Sequence, residues 1–121
     1  MEMTKFSQIT SNELQYYVYL YSDPDTKKPF YIGKGKGNRA FSHLSLDGEK
    51  EKVKKIHELR SKGQEPLIEI LVHGADETTA LKVEAAAIDL LGIENLTNEQ
   101  RGHHSGTFGR KEVSALDALY N

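Results

Sequence analysis

The sequence feature that most constrains the fold is a run of aromatic and β-branched residues at positions 15–22, QYYVYLYS. Such residues favour an extended strand, in which alternate side chains point to opposite faces. The turn-forming sequence DPDT follows at positions 23–26, and residues 28–33, KPFYIG, have the composition of a second strand. The chain is therefore predicted to contain a β-hairpin whose loop is longer than the tightest type.

Alternation along this hairpin separates its side chains into an apolar face and a tyrosine face. The apolar face is predicted to fill the core with four residues, Val18, Leu20, Phe30 and Ile32. Tyr19 and Tyr31 would then emerge together on the opposite face. Tyrosines also suit strands for purely structural reasons, so this pairing alone does not define a site.

The remaining elements follow from helical spacing and from signals that end helices. The predicted elements are a helix at 49–62, a third strand at 67–72 and a helix at 77–91. This order predicts an α+β domain of sandwich-like form, with a central three-stranded antiparallel sheet flanked by helices. We place the domain at residues 14–109, after an N-terminal extension at 1–13 and before a C-terminal tail at 110–121.

Charge is distributed unevenly along the chain. The 121 residues form a single-domain length with a net charge of −2, but residues 27–62 hold eleven Lys or Arg against four Asp or Glu. A basic stretch within an acidic chain is able to meet a polyanion such as nucleic acid. A solvated, lysine-rich helix face would produce the same pattern, so charge permits this partner without establishing it.

Composition and motif spacing exclude several classes. The chain has no cysteine, which excludes disulfides and thiolate zinc sites and fits a cytoplasmic protein. No apolar run approaches the roughly 20 residues of a membrane span, and the N-terminus lacks an apolar signal segment. The glycines and lysines at 33–37 lack the spacing of a P-loop, and none of the five histidines forms a zinc motif.

Glu84 is the most anomalous residue of the predicted helix 77–91. At 100° per residue, Leu81, Glu84, Ile88 and Leu91 fall on one stripe of that helix. A carboxylate within an apolar stripe is costly unless it is paired, protonated or bound to a cation. The sequence leaves open whether Glu84 serves as a ligand or as a structural ion pair with a nearby lysine or arginine.

These elements together resemble the GIY-YIG nucleases. Tyr17-Val18-Tyr19 and Tyr31-Ile32-Gly33 resemble the two motifs that name the family, and Arg39, Glu84 and a late asparagine follow in the family's order. Tyr17 stands where the family name has glycine. The family includes homing endonucleases, an excision-repair subunit and restriction enzymes. The run FYIGKGKGNRAFSH is most similar to the branch of LEM-domain and ankyrin-repeat endonucleases.

The resemblance implies a GIY-YIG fold and an endonuclease that hydrolyses DNA to leave a 5′ phosphate and a 3′ hydroxyl. Tyr19 would act as general base or relay, with its pKa lowered by Lys34 and Arg39. Tyr31 would hold the water or the phosphate. Arg39 would neutralise phosphate charge with its planar fork. His43 would assist with water activation or a phosphate contact.

The resemblance further implies that Glu84 binds one Mg²⁺ or Mn²⁺ ion, which would stabilise the leaving 3′ oxygen. Asn98 would orient the site, with Asn95 as the competing assignment. Lys34, Lys36 and Tyr17 would bind substrate. The expected partner is nucleic acid, with DNA favoured over RNA, and no membrane. The sequence leaves open a monomer or a transient dimer. The alternatives are a catalytically silent nucleic-acid-binding module and a protein-interaction module on the same fold.

Overall fold

A computed structural model describes residues 3–42, 44, 50–99 and 109–121. The helices are α1 (Gln8–Leu14), α2 (Glu51–Ser61), α3 (Glu77–Leu91) and α4 (Val113–Tyr120), and the strands are β1 (Tyr16–Ser22), β2 (Pro29–Lys36) and β3 (Leu67–Ala75). Short 3-10 segments lie at Arg39–Phe41 and Ile93–Asn95. His43, His103 and His104 lie outside the described residues. Within these ranges, no helix has the length and apolar character needed to cross a membrane.

The three strands form one antiparallel sheet in the order β2-β1-β3, so the tyrosine-rich strand β1 is central. On one side Tyr19 pairs with Gly33 and Tyr21 with Tyr31. On the other side Tyr19 pairs with Ile70. Helices flank the sheet on both faces, and the predicted α+β architecture is confirmed.

Four segments differ from their predicted structure, and one of them is strand β3, which continues to Ala75 where the prediction ended at 72. Strand β2 extends to Lys36, through glycines and lysines that have low strand propensity. The register pairs Gly35 with Tyr17, so the hydrogen-bonded ladder with β1 overrides that propensity. The N-terminal extension contains α1, which begins where the Ser7 hydroxyl accepts a 3.1 Å hydrogen bond from the Thr10 amide. The C-terminal tail contains α4.

Each face of the sheet carries its own hydrophobic core. On the apolar face, Val18 and Ile32 pack against Ala80 and Ile88 of α3. The tyrosine face is also buried, because α2 and the 3-10 segment at Arg39–Phe41 cover it. Its core consists of Tyr17, Tyr19, Tyr21, Phe30, Ala40, Ile56 and Leu59.

The prediction that Phe30 belongs to the apolar face is wrong. Its ring lies on the tyrosine face, with its centroid 6.2 Å from that of Tyr21. The pairing of β1 with β2 shifts register between Tyr21 and Ser22, where Ser22 pairs with Pro29. An irregularity of this kind interrupts the alternation of side chains, which the sequence pattern assumed to be unbroken.

Helix α3 has the predicted bounds and presents Glu84 toward the sheet. The helix begins after Asp76, whose carboxylate accepts a 2.7 Å hydrogen bond from the Thr79 amide, and it ends at Gly92, with a φ of 88°. Ala80 and Ile88 of its inner face are buried. Glu84, one turn from each, lies on the same stripe and is partly buried.

Candidate active site

Two tyrosine side chains meet on the tyrosine face. The ring centroids of Tyr19 and Tyr31 are 6.1 Å apart, and their hydroxyl groups are hydrogen-bonded to each other. Tyr19 has no solvent exposure, whereas Tyr31 is only half-buried. Of the two phenols, Tyr31 is therefore the one that reaches the surface, with Tyr19 behind it.

The prediction that the pKa of Tyr19 lies below its ordinary value is wrong, although Arg39 acts in the predicted direction. Burial is the largest influence, and it raises the pKa of Tyr19 far above its ordinary value. Burial also raises the pKa of Tyr31. Arg39 opposes burial at both groups, and the hydrogen bond between the hydroxyls lowers the pKa of Tyr31 while raising that of Tyr19. Both phenols therefore carry their protons at neutral pH.

Two glycines of β2 make room for the site. A β-carbon on Gly33 would lie 2.4 Å from Cζ of Tyr19, and one on Gly35 would lie 2.3 Å from Cγ of Arg39. Both distances are shorter than van der Waals contact, so only glycine allows these side chains to lie flat on the strand. The glycines thus accommodate a phenol ring and an arginine stem; they do not form a phosphate cradle.

Lys34 and Lys36, which alternate with these glycines, lie on the opposite face of the sheet. The Lys34 ammonium is 3.0 Å from the Glu77 carboxylate at the start of α3. Both ammonium groups lie over the ring of Tyr16, at 5.4 and 5.3 Å from its centroid. The structure therefore separates the two lysines, predicted to bind substrate, from the phenol pair.

The turn that carries Arg39 is held by the other two tyrosines of β1. The Tyr17 hydroxyl donates to the Gly37 carbonyl at 2.7 Å and accepts from the Ala40 amide at 2.9 Å. The Tyr21 hydroxyl donates to the Ala40 carbonyl. Tyr17 is fully buried, with both functions of its hydroxyl used inside the fold. Tyr17 therefore fixes this turn, in place of the predicted role in binding substrate.

Arg39 is exposed at the edge of this arrangement. Its positive charge lowers the pKa of Tyr17, Tyr19 and Tyr31 against the effect of burial. A guanidinium within electrostatic reach of Tyr31 and open to solvent is suited to meet a phosphate group beside that hydroxyl.

Glu84 supplies negative charge to the same place. Its carboxylate raises the pKa of Tyr31, which puts the two groups within electrostatic reach of each other. This is possible because β2 is an edge strand, where groups from both faces of the sheet can meet. Among the described residues, no group of three or more His, Cys, Asp or Glu could hold a metal ion. A cation at Glu84 would therefore take most of its ligands from water and substrate.

Asn98 fixes the edge strand that carries Tyr31. Its side-chain amide accepts from the Ile32 amide at 3.0 Å and donates to the Ile32 carbonyl at 2.8 Å. Asn95 instead donates to the Leu91 carbonyl at the end of α3. Asn98 is thus the asparagine beside the site, where its side chain is occupied by backbone. It therefore holds the backbone of β2 in place next to Tyr31.

Lys52 was not identified from the sequence. Its ammonium lies over the ring of Tyr31, 4.7 Å from the centroid. Helical periodicity indicates which face of α2 is buried, but not which strand that face meets, so the sequence held no signal for this contact. The alternation of glycine and lysine at 33–36 does indicate that the lysines lie on the face opposite to the glycines, because a period of two is typical of a strand.

Comparison with known proteins gives two matches. The sequence profile of a family described as "LEM-3-like GIY-YIG domain" matches residues 26–115. A Caenorhabditis elegans protein, "Ankyrin repeat and LEM domain-containing protein 1 homolog", is 34% identical over 89 residues, which cover 64% of this chain and 13% of the relative. The chain thus corresponds to a small part of that relative's length. No solved structure matches it.

Proposed function

Because the chain belongs to the LEM-3-like GIY-YIG family, whose superfamily is associated with nucleases, we propose that it is an endonuclease that hydrolyses a phosphodiester bond in DNA. The observation that carries this proposal is the hydrogen-bonded pair of Tyr19 and Tyr31, whose ring centroids are 6.1 Å apart, with Arg39 and Glu84 both within electrostatic reach of Tyr31. A phenol that orients water, a cation that binds phosphate and a carboxylate that holds a metal ion are groups suited to phosphodiester hydrolysis.

Tyr31 and Tyr19 divide the proton-handling role between them. Tyr31, at the surface, orients the attacking water and accepts its proton when ionised. Tyr19, buried beneath it, holds the Tyr31 hydroxyl in place through their hydrogen bond. Arg39 binds the non-bridging oxygens of the phosphate, where its fork matches their spacing. The products are a 5′ phosphate and a 3′ hydroxyl.

Glu84 fits a single divalent ion, Mg²⁺ or Mn²⁺. It is a partly buried carboxylate on a largely apolar stripe, and Mg²⁺ is commonly held by one or two carboxylates together with water and phosphate oxygens. Such an ion, when bound, supplies positive charge to the leaving 3′ oxygen. Lys34 and Lys36 would contact flanking parts of a bound duplex, outside the phenol site.

The test is a nicking assay on plasmid and branched DNA with Mg²⁺ or Mn²⁺. The wild-type chain is expected to nick, and Glu84→Gln should lower the rate about 10²-fold or more while thermal unfolding remains cooperative. Glu77→Gln is the matched control, since Glu77 lies on the same helix, exposed and paired with Lys34. Equal nicking by Glu84→Gln and wild type would contradict the role of Glu84.

The raised pKa of Tyr19 favours a second candidate, a domain that binds nucleic acid without cutting it. A buried phenol that keeps its proton also serves as a structural anchor. This candidate predicts a gel shift that weakens with salt and no nicking with either metal ion at any pH up to 10.

A further inference from the structure

A small polar cavity of about 190 Å³ opens beside Tyr31. It is lined by Tyr31, Lys50, Lys52, Thr97, Asn98 and Glu99. This volume holds several water molecules, and therefore also a phosphate group. The polar groups of Thr97 and Asn98 are bonded to the backbone of β2, so the two residues act as a wall. The lysines supply the positive charge.

The cations at and near this cavity repel one another. Burial lowers the pKa of Lys52, and the neighbouring cations Lys50 and Arg39 lower it further. Lys52 is thus partly desolvated over the Tyr31 ring and is repelled by Lys50 and Arg39, which are both exposed. An anion bound among them would offset both costs. Glu99 attracts Lys52, but Glu99 is exposed on the rim.

The position of Lys52 differs from that of Arg39. Lys52 lies over the face of the Tyr31 ring, whereas the charge of Arg39 acts on the Tyr31 hydroxyl itself. Arg39 acts on Lys52 as well, so the two cations are within electrostatic reach of each other. A nucleic-acid strand that presents one phosphate to Arg39 would bring a neighbouring phosphate to Lys52.

We propose that Lys52, assisted by Lys50, forms a subsite for a second phosphate of the substrate strand, adjacent to the phosphate that is cleaved. This subsite rests on the proposed function, because it assumes that a nucleic-acid strand crosses Tyr31. Glu99 borders the same cavity and repels the strand. Lys52 and Glu99 should therefore have opposite effects on binding.

Binding is measured with a fluorescein-labelled single-stranded deoxyoligonucleotide in chelator, so that no cleavage occurs, over a range of salt concentrations. Lys52→Gln should weaken binding about tenfold and reduce the salt slope by roughly 0.7 to 1, as expected for one lost phosphate contact. Lys52→Arg should restore most of the affinity and most of the salt slope. Lys54→Gln is the matched control, because Lys54 is exposed and lies two residues further along α2, on its opposite side.

Glu99→Gln provides the second arm and should tighten binding. If Lys52→Gln binds like Lys54→Gln, or if Lys52→Gln and Glu99→Gln both weaken binding, the subsite is contradicted, and Lys52 and Glu99 form only a structural pair. Should Lys52→Gln fail to fold, tighter binding by Glu99→Gln still supports the subsite, and unchanged binding contradicts it. Nicking by the wild type is scored separately. If the wild type does not nick but Lys52→Gln still binds more weakly than wild type, the subsite is supported and the proposed nuclease activity is contradicted.

Discussion

The two faces of the central sheet are both buried but have different chemistry. The apolar face encloses aliphatic side chains, with Val18 and Ile32 against α3. The tyrosine face encloses rings whose hydroxyl groups are hydrogen-bonded. A single strand, β1, supplies both faces by simple alternation.

This difference shows that burial serves two purposes in this fold. On the apolar face the buried aliphatic side chains contribute stability through their volume and shape. On the tyrosine face each hydroxyl needs a partner. The outer two, on Tyr17 and Tyr21, bind the turn that carries Arg39, and the middle one, on Tyr19, binds Tyr31. The second core thus determines the geometry of the candidate site.

The largest expected effect comes from comparing the loss of one tyrosine hydroxyl on each face. Tyr31→Phe should lower the single-turnover nicking rate by about 10²- to 10⁴-fold, because it removes the proton acceptor. Tyr16→Phe, on the apolar face beneath Lys34 and Lys36, should leave the rate within about threefold of wild type. Equal losses in the two variants would show that the faces do not differ in function.

Gly33→Ala tests the close packing of the tyrosine face. The added methyl group would lie 2.4 Å from Cζ of Tyr19, so the ring must move. We expect a loss of about 1–3 kcal/mol in the free energy of unfolding, typical of overpacking, together with slower nicking. Urea unfolding measures the first effect. Full stability with normal nicking would mean that the ring is not fixed by Gly33.

Asn98→Asp tests the edge of the sheet at Tyr31. The substitution removes the donor to the Ile32 carbonyl, which should cost roughly 1–2 kcal/mol of unfolding free energy and disturb the position of Tyr31. Asn95→Asp loses an exposed bond to the Leu91 carbonyl and should change stability by less than about 1 kcal/mol. A larger loss in Asn95→Asp would reverse the assignment of the two asparagines.

The smallest effect appears in alkaline solution. A phenol whose pKa is higher in the folded than in the unfolded chain contributes full stability below pH of about 10, and that contribution is lost as pH rises through the folded pKa. Tyr17, Tyr19 and Tyr31 all meet this condition. Tyr19→Phe should therefore make the free energy of unfolding fall less steeply with pH, by up to about 1.4 kcal/mol per pH unit above pH of about 10. Thermal unfolding over a series of pH values measures this effect. Equal declines in Tyr19→Phe and wild type would contradict the prediction.

Much of the fold could be predicted because its signals are local. The hairpin, the bounds of α3 and the Glu84 stripe follow from alternation, capping residues and helical period. The face of Phe30 could not be predicted, since it depends on a register shift that only strand pairing creates. The role of Asn98 in holding β2 likewise depends on a contact between residues 66 positions apart in sequence.

The residue types of the candidate site were proposed from the sequence, but its electrostatics could not be. The order of residues in the sequence points to Tyr31, Arg39 and Glu84. The direction in which the pKa of Tyr19 shifts depends instead on how deeply its ring is buried. Burial outweighs the nearby arginine, and no pattern of neighbours in the sequence reports it. Lys52 enters the site through the docking of α2, which is equally invisible in the sequence.

The side chain of Asn98 has a consequence for how this sheet can grow. By pairing with both backbone groups of Ile32, it takes the place of a neighbouring strand at that residue and blocks a further chain from pairing there. Strand β3 forms the opposite border. An extended peptide that docked along β3 would have β1 between it and Tyr31 and would leave Tyr31 uncovered.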